Sequence, residues 1–149
     1  MRNKSSTPIR KKAAELFWEA IPPIWHTIHS ELDRNAREIH EITGGHFHVL
    51  RLIKGGYTSV SELADARHIS RPVVSRKVDS LVEKGLVSRR ESPEDRRYTV
   101  LELTLEGDRI LEELRASNRE WLDERFRRLE EQEIEIVNQA LIILKKLKD

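Results

Sequence analysis

Cysteine is absent from this chain of 149 residues. Structural disulfides, thiolate zinc clusters and thiol redox sensing are thereby excluded. Apolar runs are all far shorter than a bilayer crossing requires, so no membrane contact is expected. The opening stretch, Met1 to Ser6 followed by Arg10-Lys11-Lys12, has no apolar segment of a secretion signal behind it, and a cytoplasmic location is the expectation. The sequence also lacks a G-x-S-x-G elbow, a P-loop and a G-x-G-x-x-G turn. Its paired acids, Glu112-Glu113 and Glu130-Glu131, fall in helical stretches rich in charge, as solvated faces do. Neither catalysis nor a cofactor is expected.

Aromatic residues make up only 5% of the chain, against 36% charged and 38% hydrophobic, a balance that suits long, partly solvated helices. Chains of this kind often complete their core by pairing with a second copy. The formal net charge of +1 gives no reason by itself to propose a nucleic acid. Its distribution does. From Arg67 to Arg97 nine basic residues face five acids, a net +4, whereas from Glu102 to Glu135 six bases face twelve acids, a net −6. Positive charge gathered in one place is the footprint a phosphate backbone selects.

Prolines and glycines are few, so each one punctuates. Thr7-Pro8 opens a helix carrying Ala13, Leu16, Phe17, Ala20 and Ile21 at helical spacing. Pro22-Pro23 is expected to end it, because each proline lacks a donor and restricts its predecessor. A second helix then runs from about Pro23 to Ile39. Thr43 caps a shorter one holding Phe47, Leu50 and Ile53, which stops at Gly55-Gly56. Ser59-Val60-Ser61-Glu62 is a capping box opening a helix to about Arg67. Ser70 is expected to cap the next helix, which tolerates Pro72 in its first turn and ends at Gly85. The period then changes: Leu86 to Glu91 and Tyr98 to Leu103 read as strands around a polar turn at Ser92 to Arg97. A long helix from Thr104 to about Arg128 and a last one from about Glu131 to Leu147 complete the chain. The last is apolar over so wide an arc that it needs contacts on two sides.

Two short helices and then a hairpin with a basic tip make the fold class mostly α with a small β-hairpin wing, a winged helix-turn-helix. Residues 43–104 form that unit; residues 1–42 and 105–149 supply N- and C-terminal helices for dimerisation. On the helix after Ser70, Val74, Val78, Leu81 and Val82 share the face to be buried, at about 100° per residue. Arg71, Pro72, Val73, Ser75, Arg76 and Lys77 are left for a major groove. Arg76 can fork onto a guanine edge, Val73 can touch a thymine methyl, and Ser75 can bond a base or phosphate. Arg96 and Arg97 at the hairpin tip have no core to serve and suit a minor groove, with Asp95 placed to hold one in orientation. Ser59, Arg89 and Arg90 complete the candidate DNA-binding set.

Asp95-Arg96-Arg97-Tyr98-Thr99-Val100-Leu101-Glu102-Leu103-Thr104, followed by Gly107, resembles the D-x-R…L-T-x-x-G wing signature of the MarR family of regulators. Ile42 to Leu50 is similar to that family's L-T-x-x-x-F-x-V-L helix. Val60 to Ala64 and Ser75 to Val87 are similar to its helix-turn-helix blocks, the resemblance spanning about Pro23 to Leu147. It departs at Arg67-His68, where the family usually has Leu-Gly, and at Gly44-Gly45. The resemblance implies a homodimer whose first and last helices interlock, presenting two winged helices to a pseudo-palindromic operator in double-stranded DNA, usually as a repressor. It further implies Arg97 as the minor-groove arginine and Asp95 as its positioner.

Trp18, Trp25, His26, His29, His46 and Phe47 are candidates for lining the small-molecule effector cleft many members of that family have, with core or interface packing as the plainer account. Six histidines raise the question of a metal. His26 and His29 share a helix face, but His46 and His48 point apart and no third ligand is assured, so no metal site is assigned. A metal-responsive regulator and a winged helix that binds protein instead of DNA remain as alternatives.

Overall fold

The computed structural model describes residues 7–92 and 99–147. The elements are α1 (Pro8–His40), α2 (Gly44–Lys54), α3 (Val60–Arg67), α4 (Arg71–Glu83), β1 (Val87–Glu91), β2 (Thr99–Leu103), α5 (Leu105–Phe126) and α6 (Glu131–Leu144), with a short 3-10 turn at Lys145–Leu147. The expected break at Pro22-Pro23 does not occur: α1 runs unbroken through both prolines for 33 residues, about 50 Å. The carbonyls the prolines leave without a donor are those of Trp18 and Glu19, on a stretch open to solvent. Water can therefore take the lost hydrogen bonds, and no packed neighbour has to move.

One core forms around the helix-turn-helix. Leu50, Leu63, Val74, Val78, Leu81 and Val87 are buried almost completely, together with Ala36 of α1 and Leu111 and Leu114 of α5. The inner parts of α1 and α5 thus belong to the same core as the helix-turn-helix. Asn35 of α1 donates to Asn118 Oδ1 of α5 at 3.0 Å, fixing the two long helices side by side. Asp33 accepts from the Gly44 amide at 2.7 Å and so caps α2 from α1. The outer halves of α1 and α5 bury almost nothing, and α6 has no buried residue at all.

The strands pair antiparallel in the register Val87↔Leu103, Arg89↔Leu101 and Glu91↔Thr99. The Leu101 amide also donates to Thr58 O at 2.8 Å, tying the hairpin to the segment before α3. Gly85, at φ 69°, makes the left-handed turn from α4 into β1. Thr104 then joins hairpin to helix: its hydroxyl donates to Gly85 O at 2.7 Å and accepts from the Gly107 amide at 3.0 Å. Gly107 packs so tightly on Leu86 that a β-carbon would overlap the Leu86 carbonyl oxygen. The threonine and the glycine three residues further on are both required by this one junction.

Candidate nucleic-acid interface

The α4 helix forms because a buried stripe at Val74, Val78 and Leu81 docks on the core while Ser70 ends the preceding turn in extended conformation. Ser70 occupies the N-cap position, but its hydroxyl makes no capping hydrogen bond. The sequence expectation of a side-chain cap is corrected here: Pro72 in the first turn has no amide to offer, and the Val73 amide donates to the Ser70 carbonyl oxygen at 3.1 Å instead. Arg71, Pro72 and Arg76 are exposed, with Val73, Ser75 and Lys77 half-buried beside them. Neither Arg71 nor Arg76 forms a hydrogen bond or ion pair with any described residue.

The other candidates are held within the protein. Lys77 turns away from this face: a β-carbon on Gly45 would stand 2.5 Å from its ammonium nitrogen, so Lys77 lies over the first turn of α2. Gly45, unhelpful to a helix start, leaves the room for it. Ser59 caps α3, accepting from the Glu62 amide at 3.2 Å, while Glu62 Oε2 takes the Thr58 and Ser59 amides at 2.8 and 3.0 Å. The Thr58 amide first, and then the Ser59 hydroxyl, hold the Glu62 carboxyl below its ordinary range. Arg89 pairs with Asp79 of α4 at 2.5 Å, and Arg90 Nε with Glu102 of β2 at 3.1 Å. The Asp79–Arg89 pair clamps the hairpin base to α4, a contact the sequence alone did not suggest. Asp95, Arg96 and Arg97 lie outside the described residues.

The expected effector-cleft residues are only partly brought together. Trp25, His26 and His29 line an open cavity of 680 Å³ with Pro22, Ser30 and Asp33. Trp18 is separate, exposed and edge-on to Phe17. Phe47 is in the core, and His46 is the reciprocal partner in the α2 capping box, its Nδ1 accepting from the Thr43 amide at 3.0 Å. Burial, then Lys77 and Lys84, lower the His46 pKa. The residue missed is His48, buried between Phe47 and His29 with ring centroids 5.7 and 5.4 Å away. A histidine on the apolar face of α2, beside Phe47 and Leu50, was the available signal. A second cavity, of 470 Å³, opens between the outer halves of α1 and α5, lined by Ile24, Ile28, Trp121, Leu122, Phe126 and Leu129 among others. Among the described residues no three His, Asp or Glu side chains converge as a metal site would need. No described helix is long and apolar enough to cross a membrane.

The MarR family model matches residues 40–97, from the end of α1 to beyond β1. The HTH-type transcriptional regulator YdgG of Bacillus subtilis is 31% identical over 106 residues, aligning 69% of this chain with 68% of that protein. The chain spans between 60% and 68% of the length of the first curated relatives it matches. A MarR family protein from Bacillus stearothermophilus superposes with a TM-score of 0.80 at 21% identity, over 93% of this chain and 96% of that one. A mutant of S. aureus MepR bound to an oligodeoxyribonucleotide superposes with a TM-score of 0.63 at 23% identity, over 92% and 98% of the two chains. At such identities the two superpositions speak for the fold. With sequence and fold in agreement, the chain belongs to the MarR family of winged helix-turn-helix transcriptional regulators.

Proposed function

We propose that the chain is a non-catalytic, cytoplasmic regulator that binds duplex DNA as a homodimer and represses transcription beside its operator. The observation that carries this reading is the outer face of α4, where Arg71 and Arg76 are exposed and have no partner among the described residues. The two arginines of β1, Arg89 and Arg90, are by contrast engaged in ion pairs. Two free guanidiniums on the first turns of a helix braced from behind suit base edges and phosphates in a major groove. The DNA-bound MepR relative shares the fold and supports that use of it.

Dimerisation has separate support. Ile136, Leu141 and Ile143 of α6 and Leu16, Trp18 and Ile24 of α1 are all exposed, a run of apolar surface that soluble single chains rarely leave bare. In this reading residues 1–42 and 105–149 pair the subunits, residues 43–104 contact DNA, and the cavity at Trp25, His26 and His29 takes a small effector. Selection from a random duplex library tests the core of the proposal. It should return pseudo-palindromes whose half-sites lie about one helical turn, roughly 34–36 Å, apart. Binding should weaken steeply as salt rises. A library with no enriched sequence, or binding indifferent to salt, would point to a protein partner instead.

A further inference from the structure

Arg71, Arg76 and Lys77 all stand on the first two turns of α4, and the fold treats them differently. The two arginines are exposed, whereas Lys77 is half-buried. Its stem crosses to the first turn of α2, where Gly45 has no side chain. A β-carbon on Gly45 would stand 3.0 Å from Lys77 Cε and 2.5 Å from Nζ, so the end of the lysine fills the place of the missing methyl group. Gly44 beside it is closed in by α1: a β-carbon there would meet Asp33 Cα at 3.3 Å, and the Gly44 amide donates to Asp33 Oδ1. The two glycines thus let α1 and α4 close on the same turn of α2. They are also a pair at which the sequence departs from the MarR pattern.

No described acid draws Lys77 into this berth. Its ammonium makes no hydrogen bond or ion pair with a described residue. Asp33 is taken by Arg37 and the Gly44 amide, and Asp79 by Arg89. The N-terminus of α2 carries positive partial charge, which disfavours a cation. His46, next along α2, is held below its ordinary pKa by burial first and then by Lys77 and Lys84, as a nearby ammonium requires. What keeps Lys77 in place is the packing of its aliphatic stem on bare backbone. A single methyl group on Gly45 is enough to evict it, because the atoms it would meet are the far end of a flexible side chain.

We propose that Gly45 is a positioning residue for Lys77, berthing its ammonium away from the phosphate backbone and so setting the sequence-independent part of DNA affinity. The inference rests on the reading of α4 as the helix that contacts DNA. A cation placed on a phosphate raises affinity for every sequence alike, while discrimination comes from contacts to base edges. Berthing Lys77 lowers the first contribution and leaves the second to Arg71 and Arg76. Evicting it gives α4 one more cation for phosphate without altering what the helix reads.

The test compares the parent, Gly45→Ala, Lys77→Gln and the double variant as full chains. Fluorescence anisotropy across a range of salt concentrations gives their affinities for a duplex recovered by the library selection and for a shuffled duplex of the same composition. Gly45→Ala should steepen the slope of log affinity against log salt by about 0.9 on both duplexes, the increment of one further phosphate contact. Its affinity should rise several-fold on both, with their ratio unchanged. Lys77→Gln alone should leave the parent slope as it is, and in the double variant it should cancel the effect of Gly45→Ala. Without DNA, NMR titration of the His46 ring reads the berth directly: Gly45→Ala and Lys77→Gln should each raise its pKa toward the ordinary 6.5. A Gly45→Ala slope equal to the parent's, a Lys77→Gln protein with a flatter slope, or a His46 pKa unmoved by Gly45→Ala would each overturn the berth. A changed ratio between the duplexes at constant slope would overturn it too, showing that Gly45 acts on the shape of α4. A parent that binds neither duplex would refute the DNA-binding reading itself, and this inference with it.

Discussion

Replacing Gly107 by alanine tests whether the start of α5 is locked to the hairpin or merely follows it. Gly107 is buried in the first turn of α5, its amide bonded to Thr104 Oγ1 at 3.0 Å. A β-carbon there would overlap the Leu86 carbonyl oxygen and stand 2.9 Å from its carbonyl carbon and 3.2 Å from its Cα. Carbon atoms pack comfortably at about 3.5–4.0 Å, so the first turn of α5 has to retreat by roughly 1 Å. That retreat pulls on two bonds at once: Thr104 N–H to Leu86 O at 3.1 Å, and the Thr104 hydroxyl to Gly85 O at 2.7 Å. Overpacking of this kind costs about 1–3 kcal/mol, and a weakened hydrogen bond adds about 1 kcal/mol. Helix propensity opposes the loss, since alanine for glycine in a helix gains about 0.5–1 kcal/mol where space allows. The balance is a net loss of roughly 1–3 kcal/mol, opposite in sign to what propensity alone predicts. Urea denaturation of parent and variant at equal protein concentration measures it. A Gly107→Ala protein as stable as its parent would refute the close-contact account of the T-x-x-G junction.

Other expectations follow from the same geometry. Arg76→Ala should cost about 1–3 kcal/mol of operator affinity and relax preference at one base position; equal losses on every sequence would show that Arg76 touches only phosphate. Asp79→Ala should free the hairpin base by releasing Arg89, lowering the ratio of specific to non-specific binding in competition assays; an unchanged ratio would leave the 2.5 Å pair without a role in recognition. His48 is held neutral by burial and neighbouring cations, with its folded pKa at about 4 against an ordinary 6.5. Its contribution is therefore present above pH 6.5 and lost as pH falls toward 4, by at most about 3 kcal/mol. His48→Gln should flatten that part of the stability profile measured by denaturation, and an unchanged slope would assign the loss to other groups. Leu141→Asp, on the exposed face of α6, should convert dimer to monomer in sedimentation experiments, and a variant that stays dimeric would move the interface elsewhere.

Local chemistry made much of the fold legible in the sequence. Thr43 and Ser59 announce helix starts because their side chains satisfy amides within three residues, and both do so in the structure. Val74, Val78 and Leu81 declare a buried face by spacing alone, and Leu103-Thr104 followed by Gly107 marks the hairpin exit. The Pro22-Pro23 break did not follow, because the cost of a proline depends on whether water can reach the carbonyls it strands, which is set by exposure.

The candidate interface divides in the same way. That α4 carries cations is a property of the sequence; that Arg71 and Arg76 stay free while Lys77 lies over Gly45 and Arg89 closes on Asp79 depends on neighbours far away along the chain. The same holds for His48, which spacing placed on an apolar face but only the meeting of α1, α2 and α3 surrounded with His29, Arg51 and Arg67. Sequence by itself determined the periodicities, caps and turns, since these act over a few residues and need no third element. Which charges are paired, which are stranded and how Gly107 meets Leu86 were decided by tertiary packing, because Coulomb and contact energies depend on distance in space and not on separation in sequence.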